Sequence, residues 1–95
     1  MGNIFLGDTY ILQATLTDTN DAPVTPDSQS AKLYDPNLSL KDHDDAPVLQ
    51  SAGTYWATLN IPTNGKSGIW TIIWTINITG ITDSEKHHFK VKSNP

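Results

Sequence analysis

Asp42-His43-Asp44-Asp45 is the densest run of chemically capable side chains in the sequence. Closely spaced carboxylates offer the oxygen ligands that a hard cation such as Ca²⁺ prefers. The run lacks the glycine and the distal Glu of an EF-hand loop. It is therefore read first as a solvated acidic loop, with Asp42, Asp44 and Asp45 as the metal-ligand alternative. Asp18, Asn20 and Asp21 form a sparser set whose residue types are those of a turn.

His87-His88 is no chelating pair, because neighbouring residues on a strand point to opposite faces. Asp83, Glu85 and His87 do share a face, the raw material of an acid–base row. No candidate nucleophile or oxyanion hole accompanies them, so a cross-strand polar rim is expected, with His87 partly buried beside Phe89. A hydrolase would need a triad or a metal set. The expectation is a non-enzymatic chain without a cofactor.

Trp56 points to binding. It lies opposite Tyr55, Ala57 and Leu59 in period two, so if those three face a core, Trp56 faces out. An exposed indole anchors protein partners or stacks on sugar rings; a loop laid over it is the bland alternative. Ile11 and Ile73 also fall on nominally outer faces. With Trp56 they are expected to form an apolar interaction patch.

The elements that position these residues read as strands. Ile occurs 9 times and Thr 12 times, both β-branched and suited to a pleated surface. Tyr10, Leu12, Ala14 and Leu16 alternate with Thr9, Gln13, Thr15 and Thr17, ending at a turn over 18–23. Ala31 and Leu33 share a face in a strand that stops at Asp35-Pro36-Asn37. Residues 37–45 read as a surface loop and 47–50 as a short edge strand. Tyr55, Ala57, Leu59 and Ile61 mark the next strand. Trp70, Ile72, Trp74, Ile76 and Ile78 mark the clearest one, worth about 10 kcal/mol of transfer free energy if all five are buried. Thr79-Gly80 turns the chain into a return strand over 81–92, with Phe89 and Val91 inward and Lys86, His88, Lys90 and Lys92 outward.

Residues 1–95 thus make a single all-β domain, an antiparallel sandwich of 6–7 strands. With no cysteine, packing alone must hold it together. The net charge is −4 and all six basic residues are lysines, which disfavours nucleic acid as a partner. The longest apolar run is Ile72-Ile73-Trp74, so no membrane span is expected. If Met1 is the native start, the chain begins without a secretion signal. Asn37 and Asn77 stand in chance glycosylation sequons.

The segment Gly53-Thr54-Tyr55, then Gly68-Ile69-Trp70-Thr71-Ile72, Gly80 and Phe89-Lys90-Val91 resembles the C-terminal half of immunoglobulin-like domains of the macroglobulin and bacterial surface type. Asp8 through Pro23 resembles the opening strand and turn of the same domains. Together these cover about two-thirds of the chain. The chain departs from antibody domains in having no cysteine pair. Small cysteine-free modules of this kind are also similar to accessory virion proteins of tailed bacteriophages. The resemblance implies a structural or interaction module with protein partners in a larger assembly, a homo-oligomer among them. Its leading form is a decoration, neck or fibre component of a virion. The alternative is an extracellular adhesion or carbohydrate-binding module of a prokaryotic surface protein.

Overall fold

The computed structural model describes residues 4–93. Its seven strands are β1 (Thr9–Thr15), β2 (Ser28–Tyr34), β3 (Leu40–Asp44), β4 (Val48–Ser51), β5 (Thr54–Asn60), β6 (Gly68–Ile78) and β7 (Ile81–Val91), with no helix among the described residues. A three-stranded sheet, β1-β5-β4, faces a four-stranded one, β3-β2-β6-β7. Every ladder is antiparallel. The molecule is an all-β two-sheet sandwich, and its strand order is compatible with an immunoglobulin-like arrangement.

Alternation decides which residues line the interior. Tyr55, Ala57 and Leu59 of β5 face Ala31 and Leu33 of β2 and Trp70, Ile72 and Trp74 of β6 in one core. Tyr10, Leu12 and Ala14 of β1 and Leu16 just beyond it pack against the core but stay half-buried, because β1 is a sheet edge. All three indole N–H groups find acceptors. Trp70 donates to Lys66 O at 2.7 Å, Trp74 to Gln29 Oε1 at 3.1 Å and Trp56 to Gln13 Oε1 at 2.8 Å. The inner row of β6 is only partly sealed. Trp70, Ile72 and Trp74 are buried, whereas Ile76 and Ile78 are half-buried, so the five-residue transfer estimate is an upper bound.

Residues 37–45 correct the loop expectation. Asp35 closes a turn, its Oδ1 accepting the amides of Asn37 and Ser39, and Leu38 takes a φ of 63°. From Leu40 the chain is strand β3, paired to β2 through Ala31↔Asp44 and Leu33↔Asp42. The acidic alternation that reads as solvated is itself a strand pattern. Lys41 and His43 stay outside while Asp42 and Asp44 are half-buried.

Two features shape the ends. Thr79 (φ 48°) and Gly80 (φ 80°) both sit in the left-handed region, the geometry of a type I′ hairpin. Asp27 Oδ2 holds that turn by accepting the Thr79 amide at 2.8 Å. At the other end Phe5 bridges Lys92 in parallel, with Leu6 N donating to Lys92 O. The chain then crosses through Gly7 (φ 92°) to the opposite sheet as β1. The long β6–β7 hairpin draws the molecule out to 46 × 26 × 19 Å.

Candidate functional site

The three-stranded sheet has an outer face built by the residues that alternate with the core row. β1 contributes Thr9, Ile11, Gln13 and Thr15, and β5 contributes Thr54, Trp56, Thr58 and Asn60. Val48 of β4 pairs with Trp56 and joins them. None of these side chains is charged. Depletion of charge around an aromatic anchor is the compositional mark of an interface centre.

Trp56 is 38% exposed, so no loop covers it. Its partner across the ladder is Gln13, whose Oε1 fixes the indole edge at 2.8 Å. Ile11 pairs with Thr58, which places it diagonal to Trp56, within reach of about 7–8 Å along this lattice. Ile11 and Val48 are 54% and 57% exposed. The three apolar groups thus form one patch, its indole held rigid. Thr9 Oγ1 donates to Asn60 Oδ1 at 2.9 Å and ties down one end.

Ile73 does not belong to that patch. It lies on β6 between Ile72 and Trp74, both inward, and so faces out from the four-stranded sheet on the far side of the sandwich. Its direct neighbours are Lys32 on β2 and Lys86 on β7. Alternation distinguishes inner from outer residues but does not say which of two outer faces a strand shows. Val48 was missed for the same reason: its place beside Trp56 is a matter of register, and a four-residue strand carries little periodicity.

The acidic run is distributed among structural tasks. Asp42 Oδ2 accepts the amide of Asn60 at 2.6 Å and Asp44 Oδ2 that of Thr58 at 2.9 Å. Both amides point to the β4 side of β5, beyond where β4 ends. The two carboxylates stand in for the missing stretch of strand and tie the two sheets together. Asp45 turns to His43 at 3.1 Å. No group of three or more His, Cys, Asp or Glu among the described residues converges as a metal site. Asp18 is a turn residue, its Oδ1 accepting the amides of Asn20 and Ala22.

Asp83, Glu85 and His87 do share the inner side of β7, opposite Ile76, Trp74 and Ile72. His87 is half-buried and its Nε2 lies 2.8 Å from the Tyr10 hydroxyl, while Tyr10 stacks on Phe89 at 4.4 Å. Burial raises the Tyr10 hydroxyl pKa above its usual value. These rings close one end of the flank between β1 and β7. Beyond them the flank opens into a cleft of about 490 Å³ lined by Leu12, Ala14, Leu16, Trp74, Ile76 and Glu85, among others.

Comparison with protein-family models, with curated proteins and with solved structures gives no match. No helix among the described residues is long and apolar enough to cross a membrane.

Proposed function

We propose that this chain is a non-enzymatic immunoglobulin-like interaction module that docks on a larger protein assembly through the outer face of its three-stranded sheet. The observation that carries this reading is the uncharged face centred on Trp56, with Ile11 and Val48 beside it. Within the titratable row His87 holds Tyr10, a structural use that supports the non-enzymatic part. The specific form of the proposal is an accessory component of a tailed-phage virion. It rests on the likeness of a small cysteine-free sandwich to such units.

The test is binding to products of adjacent genes, with wild type, Trp56→Ala and Ile11→Lys compared. A hot-spot indole predicts a loss of about 30-fold or more on Trp56→Ala. The two variants should melt near the wild-type temperature, since both sites are surface positions. A partner that is neither a capsid nor a tail protein overturns the virion form alone. A strict monomer with no partner among those products overturns the module reading.

A second reading is favoured by one observation. An indole fixed by Gln13 and flanked by Thr58 is also a platform for a sugar ring. Glycan-array binding lost on Trp56→Ala would identify a carbohydrate-binding surface module instead.

A further inference from the structure

The sheets end on four strands, and those strands are not equally protected. β3 carries Lys41, Asp42, His43 and Asp44; β4 has 4 residues and follows Pro47; β7 carries Lys86 and Lys90. Charge, proline and brevity are the devices that stop edge-to-edge pairing. β1 has none of them. Residues 9–17 hold no charge and no proline, and the register of β1 with β5 is unbroken.

The bare groups of β1 follow from parity. Leu16 N donates to Gly53 O and Ile61 N to Asp8 O, so the even-numbered residues of β1 bond to β5. Thr9, Ile11, Gln13 and Thr15 then aim their N–H and C=O groups at the open flank. In immunoglobulin-type sandwiches a first strand occupies that edge. Here the described segment Ile4–Leu6 pairs with Lys92 on the other sheet instead.

The cleft of about 490 Å³ runs beside this edge, within the roughly 300–1,000 Å³ of ordinary ligand sites. Its floor is apolar, from Leu12, Leu16, Trp74 and Ile76. Its wall is acidic. Asp83 and Glu85 point inward with Ile76 and Trp74, and neither carboxylate has an ion-pair partner among the described residues. Lys86 borders the cleft as well, but it pairs with Ile73, so its side chain leaves from the opposite face of β7 and the two carboxylates are the charges on the inward side.

We infer that the β1 edge accepts an extended segment of another protein as an added strand, with alternate apolar side chains in the cleft and a Lys or Arg facing Asp83 and Glu85. Backbone bonds would supply affinity and the inward pockets specificity, as in other strand-addition modes. A second copy fits poorly. Joining two β1 edges would bring the Asp83 and Glu85 pairs of both copies to one enclosed seam, where like charges repel. The inference stands apart from the proposed docking face, because it uses the edge and inner side of β1, whereas Trp56 lies on the outer side.

The probe is the acetylated, amidated heptapeptide Thr-Leu-Thr-Lys-Thr-Leu-Thr, against the same peptide with Glu at the centre. Amide exchange read by NMR reports the outcome. The Lys peptide should slow exchange at Ile11, Gln13 and Thr15 and bind about threefold or more tighter than the Glu peptide, the scale of an exposed ion pair. D83N/E85Q, at exposed positions, should erase that preference and keep the fold. Trp56→Ala should leave peptide binding unchanged. No protection of the three amides, equal binding of both peptides, or protection arising from a concentration-dependent dimer would each overturn the inference.

Discussion

Removing Asp42 and Asp44 together tests whether the acidic run is a strand substitute. In D42A/D44A the amides of Thr58 and Asn60 lose their carboxylate acceptors, and Ala46 N loses its bond to Asp44 Oδ1 as well. Capping bonds of this kind are worth roughly 0.5–2 kcal/mol each when replaced by Ala. Both sites are solvent-reachable, so water recovers part of the loss and about 1 kcal/mol apiece is the appropriate figure. The double variant should therefore lose about 2 kcal/mol. For a domain of this size that lowers Tm by about 8–16 °C. D42N/D44N keeps a neutral acceptor at each position and should lose less than half as much. The assay is a thermal and urea melt with amide exchange at Thr58 and Asn60. An ornamental acidic loop would behave oppositely, because deleting neighbouring like charges relieves repulsion. A D42A/D44A variant as stable as wild type, or more so, refutes the capping argument. A Ca²⁺-dependent rise in the wild-type Tm that vanishes in the variant would refute it in favour of the metal reading.

Further outcomes are expected elsewhere. Thr79 is a β-branched residue at φ 48°, so Thr79→Asn should stabilise the hairpin by about 0.5–1 kcal/mol in a urea melt. Gly53→Ala should destabilise by about 2–4 kcal/mol, because φ is 77° and an added Cβ would lie 2.8 Å from Leu16 O. Tyr10 predicts an alkaline limb. Its folded-state pKa is raised above the usual 10.0 by burial, so the unfolded phenol ionises first and this contribution, complete below about pH 10, is lost as pH rises through the folded value. Stability measured from pH 8 to 11.5 should fall at the alkaline end in wild type and fall less steeply in Tyr10→Phe.

The sandwich was legible because its strands alternate strongly. β5 and the Trp70–Trp74 part of β6 bury the residues that period two selects, and β1 half-buries its own. The β6–β7 turn was legible from Thr79-Gly80. β3 was not, because its inward residues are Asp42 and Asp44, whose reason for facing in is the unpaired amides of another strand. Trp56, Ile11 and Ile73 all face out as period two predicts, but Ile73 does so from the other sheet, so only Trp56 and Ile11 are neighbours. The β1–β7 cleft left only a faint trace, the uncharged stretch 9–17. Which edges lie bare depends on strand order, and strand order is a long-range property that local patterning does not encode.

The Asp42 and Asp44 bonds join the layers along one margin only. At the opposite margin the layers part into the cleft between β1 and β7. Such a molecule is bound like a book, its spine at β3 and β5 and its pages free at the fore-edge, apart from one corner where Tyr10, His87 and Phe89 pack and the chain crosses from Lys92 through Gly7 to β1. Breathing should be graded accordingly, with deuterium uptake fastest at the corner near Leu16 and Ile78 and slowest along the spine. Removing the ring packing with Tyr10→Ala should extend that uptake along the fore-edge toward the crossover, while the crossover bonds and the spine stay protected.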